Sequence, residues 1–309
     1  MSYELTLWIA FNAFILLMLA LDLGVFQRKT HAVSVKEALI WSAVWIVLAM
    51  AFNVFVYYDF GKQKAIEFLT GYILEKSLSV DNIFVFVLLF GYFKVPNEYQ
   101  HKVLFWGVIG ALILRAILIA VGAIMIAKFH WIIYIFGAFL VFTGFKMANQ
   151  KDEDIHPEDN FLIRFFKKIF PVTHDYHGEK FFVKIDNKKF ATPLFIVLLA
   201  IEFTDLVFAF DSIPAIFAVT SDPFIVYTSN IFAILGLRSL YFALAGVIHK
   251  FHYLKIGLSM ILIFIGMKML IMDLYKVPTA YSLGVIAVVL TASVILSLLK
   301  PKPVEESEV

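Results

Sequence analysis

Glu75-Lys76-Ser77-Leu78-Ser79-Val80-Asp81-Asn82-Ile83 and Asp205-Leu206-Val207-Phe208-Ala209-Phe210-Asp211-Ser212-Ile213 stand in opposite halves of a 309-residue chain. Each reads carboxylate, five residues, carboxylate, small polar residue, isoleucine, and each lies inside a long apolar segment. An ionised side chain at the centre of a bilayer costs about 2.5–3.5 kcal/mol or more, so such groups are rare there and commonly mark an ion or substrate path. The same arrangement written twice points to a duplicated transport element with a cation site between its copies.

The surrounding chain is 61% hydrophobic with a mean hydropathy of +0.87, far above a soluble domain. Apolar stretches long enough to cross about 30 Å of hydrocarbon recur at roughly 5–26, 38–58, 65–93, 103–127, 129–148, 191–219, 224–248, 253–275 and 279–299. They lack the polar stripe of a soluble helix. The expected fold class is therefore an all-α polytopic membrane protein with about nine transmembrane helices. Met1-Ser2-Tyr3-Glu4 has no basic region, and no small-residue cleavage site follows, so the first stretch is expected to be a retained helix.

Basic residues predict the orientation. With the N-terminus outside, 18 of the 26 Lys and Arg fall on the cytoplasmic side, four outside (Lys62, Lys64, Lys128, Lys276) and four within spans (Lys76, Arg115, Arg238, Lys268). That bias predicts an outside N-terminus, with the C-terminus and the loop at 150–190 in the cytoplasm. A net charge of +2 on such a chain gives no reason to expect nucleic acid. There is no cysteine, which excludes disulfides, thiolate ligation and cysteine nucleophiles. The eight histidines fall in loops or near predicted helix ends. A metal held within the spans must then use oxygen ligands, which favours Mn²⁺, Mg²⁺ or Ca²⁺ over Cu(I) or Zn²⁺.

The two halves match further. Phe142-Thr143-Gly144-Phe145-Lys146-Met147 resembles Phe264-Ile265-Gly266-Met267-Lys268-Met269, and Gly110 with Arg115 answers Gly236 with Arg238 at a less regular spacing. Spans three to five thus correspond to spans six to eight. Because three is odd, the second copy must be inverted, the arrangement of many secondary transporters. The expected division is 1–64 (two helices), 65–149 (first repeat), 150–190 (loop), 191–275 (second repeat) and 276–309 (last helix and polar tail). The repeated Gly could equally reflect close helix packing, but that does not explain carboxylates within spans such as Asp22, Glu75, Asp81, Glu202, Asp205 and Asp211.

Six residues rotate an ideal helix by about 600°, so Glu75 and Asp81 point about 120° apart, as do Asp205 and Asp211. Neither pair can hold one small ion on a straight helix. Either each copy donates one or two ligands to a shared site, or the helices are broken. Pro214 predicts a break in the second copy, freeing the Phe210 carbonyl beside Asp211. The expected ligands are Asp81, Asn82, Asp211 and Ser212, with Glu75, Asp205 and Glu202 near them. One of these carboxylates could exchange a proton for the cation, because clustered carboxylates raise one another's pKa. Glu75 and Asp205 could instead be structural, neutralised by Lys76, Arg115 or Arg238. Lys146 and Lys268 read as snorkelling side chains or as a gate, and Asp22 as an entry residue. In the loop, Phe161–Phe170 is expected on the inner membrane surface, and Lys180–Phe190 as a hairpin around Asp186-Asn187. His174, Asp175, His177 and Glu179 read as a solvated loop.

These residues resemble the TerC family of bacterial membrane proteins, named for an association with tellurium resistance. The resemblance is carried by Leu21-Asp22-Leu23-Gly24-Val25-Phe26, by the first acidic motif, by Ala191-Thr192-Pro193-Leu194-Phe195, by Asp205 to Ala215, by Ser229-Asn230 and by Gly236-Leu237-Arg238-Ser239-Leu240-Tyr241-Phe242. It implies a place in the lysine-exporter superfamily, Mn²⁺ efflux and metal homeostasis under alkaline stress, with Glu75, Asp81, Asn82, Asp205, Asp211 and Ser212 as the acidic core and Asn230 as a supporting residue. No cofactor is expected beyond the transported ion. The expected partners are that ion, the lipid bilayer, and the secretion machinery or a second copy of the chain. Two other classes compete with a cation exporter: a non-transporting membrane component of redox or tellurite stress or of metal delivery, and an intramembrane aspartyl enzyme. The last lacks the Gly-x-Gly-Asp segment it would need.

Overall fold

The computed structural model describes residues 3–300 apart from 25–33, 130, 150–170, 174, 186–187, 246–250 and 252; the side chains of 21–24 and 81 are also outside the described set. The helices are α1 (Tyr3–Gly24), α2 (Val35–Phe60), α3 (Lys62–Tyr92), α4 (Asn97–Lys128) and α5 (Ile132–Asn149), followed by strands β1 (Phe182–Ile185) and β2 (Lys188–Ala191). Then come α6 (Pro193–Phe217), α7 (Pro223–Leu235), α8 (Leu237–Leu244), α9 (Leu254–Leu270) and α10 (Thr279–Leu299). The chain is an all-α polytopic membrane protein.

Local chemistry sets the boundaries. Ser34 accepts the Glu37 amide at 3.2 Å to start α2, a Ser-x-x-Glu start. Asp222 accepts the amides of Phe224 and Ile225 to start α7, with Pro223 in its first turn. Between α2 and α3 stands one residue, Gly61, at φ +89° and ψ 170°, a backbone region essentially restricted to glycine.

Among the described residues, seven segments are long and apolar enough to cross a bilayer, α7 and α8 together counting as one. α3 and α9 do not meet that measure. α9 has 17 residues, about 26 Å at 1.5 Å per residue, and α3 is interrupted by Glu75, Lys76 and Asp81. Nine spans therefore remain an expectation of the hydropathy pattern.

Pairwise contacts give the helix directions. Built on glycine, a Cβ at Gly71 of α3 would touch Ile216 of α6 at 3.6 Å, while Asn82 bonds Asp205, so α3 and α6 run antiparallel. Likewise Gly107 faces Ile201, and Gly122 faces Phe217, which makes α4 and α6 parallel. Gly137 meets Gly266, and Gly144 meets Ser259 and Ile263, so α5 and α9 lie antiparallel with backbones in contact. That is the small-residue packing expected between membrane helices.

α7 is buried along its length, enclosed by α1 to α4. Phe11 of α1, Phe52 of α2, Phe68 of α3 and Phe224 and Phe232 of α7 form an aromatic layer there. Apolar side chains such as Leu16, Val47, Ile113, Phe142 and Val288 point outward, as a lipid-facing surface requires. The expected hairpin is present, β1 pairing antiparallel with β2 in the register Phe182↔Ala191. Phe161–Phe170 lies outside the described residues.

One expectation is corrected. α6 does not break at Pro214 but continues to Phe217. Proline removes one amide and crowds the carbonyl four residues earlier, and with a single turn left it precedes the helix end instead of unwinding the middle. The interruption in the second half lies at Gly236, between α7 and α8. A Cβ there would approach Lys76 Nζ to 2.6 Å and Trp45 Cβ to 3.3 Å. The close approach of α3 and α2 accounts for glycine at that position.

A buried carboxylate cluster as candidate functional site

Seven residues turn a helix by about 700°, returning to nearly the same face. Glu75 and Asn82 therefore share one stripe of α3, and Asp205 and Ser212 share one stripe of α6. The antiparallel crossing brings these two stripes together. Glu75 is 1% exposed, and Asn82, Asp205 and Ser212 are each 2%. Asn82 Nδ2 donates to Asp205 Oδ1 at 3.1 Å, and Ser212 lies within hydrogen-bonding reach of Glu75.

Arg115 enters from α4, itself 1% exposed. Its guanidinium forks onto Asp205, Nη2 to Oδ1 at 3.0 Å and Nε to Oδ2 at 3.3 Å. Nη1 donates to Glu75 Oε1 and also faces Ser212 Oγ at 3.2 Å and Asn230 Oδ1 of α7 at 3.5 Å. The planar fork suits this bidentate task where a lysine ammonium would not. Three buried atoms in the cluster have no hydrogen-bond partner: Glu75 Oε2, Asn82 Oδ1 and Asn230 Nδ2. Buried polar atoms are ordinarily paired, so two acceptor oxygens and one donor are left available to something else.

Apolar layers close the cluster from both ends. Phe86, Leu104, Ile201 and Leu237 lie toward the α3–α4 connection, and Ile119, Ile213, Ile216 and Val226 lie toward Gly61. On the α3–α4 side a narrow cavity lined by Phe86, Gly107, Asp205 and Arg238 reaches the cluster. Beyond it a recess of ≈ 570 Å³ opens beside Lys94, Gln100 and Tyr241. Tyr241 donates to Gln100 Oε1 at 2.9 Å and meets Phe90 edge-on at 5.5 Å.

The other expected residues fall elsewhere. Asp211 faces Thr143 and Lys146 of α5 rather than the cluster, as six-residue spacing demands. Glu202 lies half-buried against Gly110 of α4. Lys76 donates to the Ala233 carbonyl at 3.1 Å, placing its ammonium near the C-terminal end of α7, where a cation is favoured. Lys146 is exposed, and Lys268 is half-buried toward Glu67. The side chains of Asp81 and Asp22 lie outside the described residues, as does His174. Glu179 pairs with Lys102 at 4.0 Å. Among the described residues no three Asp, Glu or His converge on one point.

Glu67 was not anticipated. It is 9% exposed, accepts from Lys64 at 3.0 Å, Gln63 at 3.1 Å and Thr220 at 2.6 Å, and lies near Asp222, which pairs with Lys64 at 3.2 Å. The signal was present: Gln63, Lys64 and Glu67 stand three and four apart, the spacing of one helix face.

A sequence profile described as the integral membrane protein TerC family matches residues 60–305. The chain belongs to the TerC family. It is 54% identical over 302 residues to a Myxococcus xanthus membrane protein, STKORF319, covering 98% of this chain and 95% of that one. It is 48% identical over 300 residues, 94% of each chain, to an Escherichia coli (strain K12) protein provisionally named membrane-bound redox modulator Alx. A Rickettsia felis membrane protein is 44% identical over 298 residues, 96% of this chain and 99% of that one. No solved structure matches.

Proposed function

We propose that this TerC-family protein exports a divalent metal cation, Mn²⁺ in the first place, through the cluster between α3 and α6. The observation that carries the reading is the pair of unpartnered acceptors, Glu75 Oε2 and Asn82 Oδ1, buried beside Asp205. Oxygen donors with no cysteine in the chain suit a hard or intermediate cation. Glu75, Asn82, Asp205 and Ser212 are the ligands this geometry favours. Asp81 and Asp211 each precede a stripe position by one residue, about 100° around the helix, and fit lining residues of a path beside the cluster rather than ligands within it; Glu202 and Asp22 fit its approaches.

The inverted repeat is supported by the exchange of contacts. Glu75 corresponds to Asp205 and Asn82 to Ser212, so the Asn82–Asp205 contact maps onto the Ser212–Glu75 contact. Under the second motif, Gly137 corresponds to Ser259 and Gly144 to Gly266. Gly137–Gly266 then maps onto Ser259–Gly144, and both are close approaches. A two-fold axis in the membrane plane produces such reciprocity. In the orientation predicted by the basic residues, the protein sits in a bacterial cytoplasmic membrane with the recess beside Lys94 opening to the cytoplasm.

The deciding experiment is metal flux in proteoliposomes, comparing Mn²⁺, Mg²⁺, Ca²⁺ and Zn²⁺ for the wild type, Asp205→Asn, Asp81→Asn and Asp211→Asn. Loss of Mn²⁺ flux in Asp205→Asn supports the reading; no flux of any of the four ions by the wild type rejects it. The provisional name of the Escherichia coli relative favours a second reading, a membrane component of redox homeostasis. A cysteine-free chain has no thiol for direct exchange, so such a role would act through metal supply or a partner. The protease reading needs Asp211 turned into the cluster, and it faces α5 instead.

A further inference from the structure

We propose that Arg115 is the resident cation of the empty carrier: its guanidinium occupies the transported ion's place between Glu75 and Asp205 and lets the unloaded protein change conformation. This rests on the transport reading above and adds to it a residue that couples loading to movement.

The argument begins with charge. Glu75 and Asp205 lie midway along α3 and α6, nearly excluded from water and flanked by apolar layers on both sides. Two bare carboxylates there would be costly, and moving them with the site closed more so. Counting both carboxylates and Arg115, a loaded divalent ion leaves the cluster one positive charge and its departure leaves one negative charge. Without the arginine the empty cluster would carry both negative charges, so Arg115, reaching in from α4, halves the charge that the returning carrier must bury. Arginine remains protonated under all working conditions, so this counter-charge is not lost with pH.

Geometry then separates this from a fixed pillar. A purely structural arginine would leave the neighbouring acceptor oxygens satisfied, yet the Glu75 carboxylate Oε2 and the Asn82 amide Oδ1 are unpartnered. Nη1 also has a neutral berth within reach outside the ion's ligand set, Asn230 Oδ1 at 3.5 Å. The guanidinium can thus keep a donor contact with α7 while an ion takes the carboxylate oxygens. Metal and guanidinium compete for the same lone pairs, and the competition favours release of the ion into whichever side is dilute.

The test compares two transport modes of the same proteoliposomes: net Mn²⁺ efflux into ion-free buffer, which requires the empty carrier to return, and Mn²⁺/⁵⁴Mn²⁺ exchange, which does not. In Arg115→Gln the ratio of net efflux to exchange is expected to fall at least about tenfold, since an uncompensated charge within a bilayer is worth more than one decade in rate. Mn²⁺ binding to the purified variant should tighten, the competitor being gone. Arg115→Lys should recover part of the ratio. If Arg115→Gln loses both modes equally while eluting as folded protein, or keeps the wild-type ratio, the proposal is overturned. If that variant does not fold, Arg115→Lys carries the test: its point charge cannot fork between two carboxylates, so net efflux should slow more than exchange, and equal slowing overturns the proposal. A wild type that moves no ion in either mode overturns the transport reading itself, and this inference with it.

Discussion

Asp205 takes three hydrogen bonds, two from Arg115 and one from Asn82, more than any other carboxylate of the cluster. Removing its charge leaves the guanidinium with Glu75 alone. Breaking a buried pair from one side typically costs about 3–5 kcal/mol, so Asp205→Asn should lower the thermal midpoint in detergent by several degrees as well as abolish flux. Asp211→Asn should leave the midpoint within a degree or two, because Asp211 faces Thr143 and the exposed Lys146 rather than a buried charge. Differential scanning of the two variants side by side checks the ranking, and an equal fall for both would contradict it. The motif made Glu75, Asn82, Asp205 and Ser212 legible in the sequence. It did not make legible which carboxylates share a face with which partner, because that depends on the α3–α6 crossing as well as on rotation. Arg115 appeared in the sequence as one of three candidate counter-ions, and nothing local could rank it above Lys76 or Arg238. Only packing decides that Lys76 turns to α7 and Arg115 to the carboxylates.

Between elements, the α5–α9 contact is closest at glycine. A Cβ on Gly266 would meet the Gly137 carbonyl at 2.6 Å and the Val141 amide at 2.8 Å. These are backbone atoms that cannot step aside, so Gly266→Val should force the helices apart. Overpacking of this kind costs about 1–3 kcal/mol, readable as a lower thermal midpoint, whereas Gly284→Ala, where nothing lies within 4 Å, should be silent. Gly236→Ala is intermediate, since the nearest atom is the movable tip of Lys76. Its expected effect is displacement of that ammonium from the Ala233 carbonyl, with a smaller loss of stability. Proline was the stronger breaker in the sequence, yet the interruption sits at Gly236. Pro214 falls too near the end of α6 to break it, and the close approach of α2 and α3 at Gly236 is a tertiary fact that propensity does not carry.

At the scale of the molecule, the end of the bundle bearing Gly61, Glu67, Thr220 and Thr279 lies opposite the end bearing Lys94, Tyr176 and the hairpin. Tyr176 donates to the Phe93 carbonyl at 2.7 Å and Lys102 pairs with Glu179, tying the second end together. The absence of cysteine makes the orientation directly measurable. Single replacements at the exposed Lys62 and Lys184 should react with a membrane-impermeant maleimide from opposite sides, Lys62→Cys in intact cells and Lys184→Cys only after permeabilisation. The reverse pattern would invert the assignment and turn the recess toward the exterior. The all-helical class followed from hydropathy alone, and the helix order matched the apolar stretches closely. Span number was less legible, because α3 pays for its charges in apparent hydropathy and α9 is short.

At Gly61, a side chain would have ample room, since no atom stands within 4 Å of the place its first carbon would fill. The joint between α2 and α3 therefore discriminates by handedness and not by bulk. An L-alanine there should strain the backbone by about 1–3 kcal/mol, whereas a D-alanine introduced by chemical ligation would find its own mirror-related torsions relaxed and should leave the hinge unaltered.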